Sequence, residues 1–290
     1  MKRNLKNLQQ PILVLLFLFI LSSCVFAKCP DDKLIDLFVK QYTNLEQSDG
    51  FGNDISLKDA ECAKIKLGYK LQEVLGRVIG YKAAFTGKAL QKKFNVDAPK
   101  WGFMFEKNII DTIAVVPANF GARPLVEADF AAVIKKPKLA DAKSPLEALD
   151  YIEYFVPFIE LPDIMLKGKF SGNSLVATNI AFRGGILGEK VPIIKKEEFL
   201  DTLENMTVVM TNLTLNREIG RSKGKELMGN PINSAIWLAK ELKKDGINLK
   251  AGDLISLGGF IPPVPTKPGM KVKVQYFGLP NDPVLTVDFN

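Results

Sequence analysis

The sequence predicts an α+β fold, with helices gathered on one side of a mostly antiparallel sheet. Two observations predict it: many short β-prone runs separated by turns, and few long helical segments, two of which come first after a leader-like start. A chain of 290 residues with 47% hydrophobic content can fill one large domain, or a domain with a helical appendage.

Residues 1–27 read as an export leader. The basic start MKRNLKNLQQ precedes an apolar core, PILVLLFLFIL, and a small-residue exit. The core is too short to span comfortably as a permanent membrane helix. Two processing routes are open. LSSC (Leu21 to Cys24) resembles a bacterial lipobox, which would leave a lipidated Cys24 and a membrane anchor, while VFA (Val25 to Ala27) offers ordinary cleavage before Lys28. Both predict an exported bacterial protein, periplasmic or tethered as a lipoprotein.

Residues 28–76 predict an N-terminal helical layer. The stretch from Asp31 to Leu45 sets Leu34, Leu37, Phe38, Tyr42 and Leu45 at helical spacing. A second helix runs from Leu57 to Leu75, capped by Ser56 and stopped at Gly76.

From Arg77 to residue 290 the pattern is mainly that of strands. In RVIGYKAAFT, Val78, Gly80, Lys82 and Ala84 share one side. QKKFNVDAPKWGFMF reads as a loop into a strand, followed by TIAVVP, the strand PLVEADFAAVI, the short helix SPLEALDYI and the strand EYFVPFIELPDI. NSLVATNIAFRGGILG reads as a strand and a glycine-rich turn, and MTVVMTNLTLN continues the sheet. In GNPINSAIWLAKELKKDG, Asn230 caps a helix, Pro231 takes its first position and Gly246 stops it. LKAGDLISLGGF, PGMKVKVQYFGL and PVLTVDF complete the strands.

Composition excludes several chemistries. The chain has no histidine, which removes Ser–His and Cys–His nucleophilic schemes and imidazole metal sites. A metal ion here must be held by oxygen, favouring magnesium, manganese or calcium. Leader processing accounts for Cys24 and leaves Cys29 and Cys62, which in an oxidising compartment predict a disulfide, two free thiols being the alternative. Net charge is +7, and loss of Lys2, Arg3 and Lys6 with the leader takes it to +4. The lysines are scattered among acids without a basic and aromatic cluster, so no nucleic-acid partner is expected.

Four charged residues stand out. In PLVEADFAAVI, Leu125, Glu127, Asp129, Ala131 and Val133 line one side of a strand that is apolar on both sides apart from the two acids. Like charges roughly 7 Å apart on a buried face are costly unless a cation lies between them. Two explanations are open: a strand end where the acids meet solvent or a lysine, or carboxylates converging on one hard metal ion. Glu160, alone among hydrophobes in YFVPFIELPDI, is a third such acid and favours the metal site. Lys82 shares an apolar strand face, as a snorkelling surface residue or as a buried acid/base group.

In order, GYKAAFT, NVDAPKWG, VEADFAAVI, PFIELPD, VATNIAFRGGILG, GNPINSAIWLAKEL and LKAGDLISLGG resemble the 2-keto-4-pentenoate hydratase branch of the fumarylacetoacetate hydrolase superfamily. The resemblance runs from about Ser56 to the C-terminus. It implies a fumarylacetoacetase C-terminal-domain-like architecture over residues 77–290, a mixed, mostly antiparallel β-sandwich or roll, as the catalytic domain. It implies that Glu127, Asp129 and Glu160 bind Mg²⁺ or Mn²⁺, Asp129 being one methylene shorter than the family's glutamate. It also implies catalytic roles for Lys82 and Asp97, and substrate contacts from Asn179, Ser256 and Gly258.

The implied activity is a metal-dependent hydro-lyase adding water to a short 2-oxo or 2-hydroxy-alkenoic acid, with a decarboxylase or C–C hydrolase as variants on the same scaffold. A homo-oligomer is also implied. Some positions depart from the family pattern: Lys100 stands where an acid is common, Thr178 replaces an aspartate and Ala181 a serine. These changes, with the leader, leave a second expectation open: an exported, catalytically reduced relative that binds a small 2-oxo acid or serves an envelope role.

Overall fold

The computed structural model describes residues 29–111, 114–194 and 196–290; Cys24 and both processing routes lie outside the described residues. The described helices are α1 (Asp32–Thr43), α2 (Leu57–Leu75), α3 (Lys88–Phe94), α4 (Pro145–Ala148), α5 (Gly172–Ala177), α6 (Lys196–Asn205) and α7 (Pro231–Lys244). The described strands are β1 (Val78–Ala84), β2 (Lys100–Phe105), β3 (Ile109–Asp111), β4 (Ala114–Val116), β5 (Leu125–Ile134), β6 (Ile152–Pro162), β7 (Phe182–Leu187), β8 (Val191–Pro192), β9 (Thr207–Asn212), β10 (Arg217–Lys223), β11 (Leu254–Ser256), β12 (Val264–Pro265), β13 (Lys271–Phe277) and β14 (Val284–Phe289).

Two sheets carry the fold. The larger runs β2-β1-β11-β5-β6-β7-β3, with β12 paired to β5 and β8 to β6; the smaller runs β10-β9-β13-β14-β4. Pairing is mostly antiparallel, with parallel contacts at β1–β11, β3–β7 and β4–β14. The architecture is α+β, as expected. On β13, Val272, Val274 and Tyr276 alternate inward while Lys271 and Phe277 are exposed, the pattern of a sheet with one wet face. β5 and β6 are buried on both faces over most of their length, which explains their near-continuous apolar runs.

The helices begin and end where their caps dictate. Ser56 Oγ accepts the Asp59 N–H at 3.1 Å to open α2, and Gly76, at φ 81°, ends it. Asn230 Oδ1 accepts the Ile232 N–H at 3.2 Å, Pro231 starts α7, and Gly246 follows its end at φ 77°. α7 buries Ile232, Ala235, Leu238, Ala239 and Leu242 along one stripe. A disulfide joins Cys29 to Cys62, tying the start of the described chain to α2.

Three segments differ from the sequence expectation. In α1 the buried stripe is Ile35, Phe38 and Tyr42, while Leu34 and Leu37 face outward. The start of the expected loop, from Gln91 to Phe94, belongs instead to the helix Lys88–Phe94, closed by Asn95 in the left-handed region (φ 51°). Residues 172–187, expected as a strand and then a turn, are a helix followed by a strand. A capping box between Ser171 and Ser174 nucleates α5, and the glycines lie inside β7. Gly185 is required there because a Cβ would stand 2.1 Å from the Phe158 ring. The sequence reading also leaves α6 unassigned.

Candidate active site

The acids meet because strand register brings them together. β5 and β6 pair antiparallel with Glu127 directly opposite Glu160, so both project from one face, and Asp129 follows two residues on. Glu160 and Asp129 are fully buried; Glu127 is half-buried. Lys82 joins them from β1, 3% exposed, and its ammonium pairs with the Glu160 carboxylate.

Asp129 is held by the end of β11. Ser256 Oγ donates to Oδ2 at 2.8 Å, the Gly258 N–H donates to Oδ1 at 3.2 Å, and the Phe130 N–H also reaches Oδ1. Tyr276 of the smaller sheet donates its hydroxyl to the Asp129 carbonyl and accepts the Phe158 N–H at 3.2 Å, fixing β5 against β6. The glycines of LISLGG make room for this packing. A Cβ on Gly259 would stand 1.9 Å from Glu127 Oε1, and one on Gly258, at φ 110°, 2.6 Å from Thr86 Oγ1.

Three carboxylates and one ammonium leave the cluster short of positive charge. Burial and the neighbouring Glu160 carboxylate push Glu127 well above the usual carboxylate range, against the pull of Lys82. Asp129 is pushed up to about 7 by burial and Glu160, although Lys82, Ser256 and the Phe130 N–H oppose the shift. An oxygen-only donor set with surplus negative charge suits a hard divalent cation. Among the described residues, however, no group of three His, Cys, Asp or Glu side chains stands in a metal-binding arrangement. Glu127 and Glu160 face a common cavity; Asp129 lies behind them, its oxygens taken up by protein donors.

That cavity has a volume of about 230 Å³. Its polar wall includes Lys82, Thr86, Lys93, Glu127 and Glu160, and its apolar wall includes Phe85, Phe94, Leu175 and Ile180. It adjoins an outer groove of about 660 Å³ that also contains Glu127, Thr86 and Gly259. The cavity thus has a charged side and an apolar side.

The chain aligns with a 2-keto-4-pentenoate hydratase from Dechloromonas aromatica strain RCB at 28% identity over 208 residues, 71% of this chain and 76% of that one. It aligns with a 4-oxalocrotonate decarboxylase from Pseudomonas putida at 26% identity over 227 residues, covering 78% and 84%. The solved 4-oxalocrotonate decarboxylase of Pseudomonas putida G7, complexed with magnesium and adipate, superposes with a TM-score of 0.77 at 25% identity over 89% of this chain and 96% of that one. The chain is similar to these hydratases and decarboxylases, and its fold is that of the fumarylacetoacetate hydrolase superfamily. Its curated relatives are named as hydratases and decarboxylases. No protein-family model matches the chain. Fumarylpyruvate hydrolase from Pseudomonas aeruginosa shares the fold at a TM-score of 0.51 and 13% identity.

Several expected site residues do not line this cavity. Asp97 is exposed in the turn after α3 and does not line the cavity. Asn179 is 1% exposed and clamps β2: its Oδ1 accepts the Phe103 N–H at 2.7 Å and its Nδ2 donates to the Phe103 carbonyl at 3.0 Å. One hydrogen bond at each end of the amide ties it to β2. Ser256 and Gly258 serve Asp129 rather than the cavity. Thr178 bonds back to the Ser174 carbonyl at 3.0 Å and closes α5, whereas Ala181 does line the cavity.

Tyr276 is a residue the sequence reading missed, though alternation in KVKVQYF places it on the inward face with Val272 and Val274. A second buried pair was also missed: Arg183 Nε lies 3.3 Å from Asp163 Oδ2, and that carboxylate accepts the Arg123 N–H at 2.7 Å. Nothing in the sequence says which strand faces which, so such pairs stay hidden.

Proposed function

We propose that this chain is a divalent-metal-dependent lyase, a hydratase acting on a short 2-hydroxy-alkenoic or 2-oxo acid. The observation that carries the reading is the register pairing of Glu127 with Glu160, with Lys82 beside them in one cavity. The relatives named as hydratases and decarboxylases support it, as does the magnesium in the solved decarboxylase.

Glu127 and Glu160 would hold a Mg²⁺ or Mn²⁺ ion, with Asp129 adding charge from behind. When bound, such an ion supplies Lewis-acid polarisation of a 2-oxo oxygen and lowers the cost of an enolate. Lys82 is the proton carrier: buried against Glu160, its ammonium can deliver a proton to the substrate carbon chain and take one back during tautomerisation. Phe94, Leu175 and Ile180 keep bulk water from the chain's apolar part. Incubation of the pure protein and Mg²⁺ with 2-hydroxypenta-2,4-dienoate tests this reading. It predicts decay of the ultraviolet absorbance of the diene, and a stable absorbance would reject the hydratase.

One observation favours a second reading, a relative that binds a 2-oxo acid without turning it over. Lys82 is engaged by Glu160, and both Asp129 oxygens accept hydrogen bonds from protein donors. Calorimetry with pyruvate or oxalate distinguishes the two: binding without any turnover of the dienoate supports the second. Export to an oxidising compartment belongs to the same proposal, and the Cys29–Cys62 disulfide supports it.

A further inference from the structure

Lys64 lies on α2, away from the acid cluster, and is 2% exposed. Its Nζ stands 3.4 Å from the centre of the Trp101 ring, and that ring is its partner among the described residues. Nearby charges are committed elsewhere. Glu61 lies 3.5 Å from Lys100, and Asp245 accepts the Trp101 indole N–H at 2.7 Å. The lysine forms part of the wall of a cavity of about 460 Å³ that also contains Glu61, Tyr69, Tyr81, Phe103 and Asp245. Tyr81 and Lys82 are consecutive on β1, so their side chains leave opposite faces of the strand. This cavity is therefore separate from the acid site.

Burial makes the ammonium costly and favours the free amine: it lowers the Lys64 pKa to about 8, although Glu61 and Asp245 pull it upward. A free amine in an aromatic pocket is a nucleophile toward carbonyl carbon. The rest of the wall narrows the ligand. Glu61 and Asp245 repel an anion, while Tyr69, Tyr81 and Phe103 offer flat apolar contact.

We propose that the cavity between α2 and β1–β2 is a second site, where the Lys64 amine captures a small, neutral, aromatic or apolar aldehyde or ketone as a reversible imine. The nitrogen lone pair forms the C–N bond while the carbonyl π electrons move to oxygen, which takes a proton. The carbinolamine then loses the nitrogen proton and its hydroxyl as water. Hydrolysis returns the amine and the carbonyl compound.

The test uses benzaldehyde with the full mature protein at about pH 7.5, trapping with cyanoborohydride and mapping the labelled peptides by mass spectrometry. Lys64 is expected to label more than about tenfold faster than exposed lysines, because more of it is unprotonated at that pH. Lys82, equally buried but ion-paired, is expected to stay unlabelled and serves as an internal control. Lys64→Met should remove that label and leave the others. Labelling of Lys64 no faster than surface lysines would overturn the proposal. So would full protection of Lys64 by an equal concentration of benzoate, which would mark the cavity as an anion site.

Discussion

Lys82 and Glu160 touch although two strands, β11 and β5, lie between theirs. Three strand spacings on a flat sheet would separate their backbones by about 14 Å. The contact therefore requires the large sheet to curl, and the strong right-handed twist of short strands permits it. Curling is what turns an acidic strand pair into a cavity with a cation on its opposite wall.

Replacing Lys82 with methionine should expose both halves of this arrangement. It leaves Glu160 buried without its partner, a loss of about 3–5 kcal/mol. Thermal melts in chelator should show that loss, and Mn²⁺ should recover most of it by taking the lysine's place. The kcat for the dienoate should fall about 10²–10⁴-fold. Equal destabilisation with and without Mn²⁺ would mean that the carboxylates do not share a cation.

Ser256→Ala removes one of the donors to a buried carboxylate. The expected cost is about 1–3 kcal/mol in urea unfolding. KM should change little, because the hydroxyl serves Asp129 and not the cavity; a large rise in KM with unchanged stability would return Ser256 to substrate contact.

Asn179 carries two buried hydrogen bonds from a left-handed backbone position (φ 57°). Asn179→Ala should cost at least about 2–4 kcal/mol by stranding the Phe103 N–H and carbonyl. Asn179→Gly relieves the backbone but not the lost bonds, so it should recover only about 1 kcal/mol of that. Full recovery in the glycine variant would show that conformation, not the clamp, is the residue's role.

Lys64 gives a pH signature. Its value falls from 10.5 in the unfolded chain to about 8 in the fold, so the unfolded state binds the proton more tightly across that window. The resulting penalty, about 3 kcal/mol, is complete below pH 8 and fades as pH rises toward 10.5. Lys64→Met should therefore be the more stable protein at neutral pH. Denaturant titrations should show its advantage over wild type shrinking as pH rises above about 8. A constant advantage would mean that the amine is not desolvated.

Local rules made much of the fold legible in the sequence. The limits of α2 follow from Ser56 and Gly76, and those of α7 from Asn230, Pro231 and Gly246. The isolated acids Glu127, Asp129 and Glu160 marked the site because charge in an apolar strand needs a reason. Misses came where the deciding neighbour lies far away in sequence. Leu34 and Ile35 are equally apolar, and only the packing of α1 on α2 selects Ile35. Gly184 and Gly185 resemble a turn until Phe158 is seen beside Gly185. Asn179, Ser256 and Gly258 fall at matching motif positions, but where the two side chains and the Gly258 N–H point depends on β2 and β5. Asp97 is exposed after α3 and does not line the cavity.

Calorimetric titration of Mn²⁺ into wild type and Glu127→Gln, both freed of metal beforehand, tests the central claim most directly. Removing one cavity-facing carboxylate should weaken binding at least about tenfold, while both proteins unfold at similar temperature in chelator. Indistinguishable Mn²⁺ affinity in the two proteins, or no binding by wild type, would contradict it.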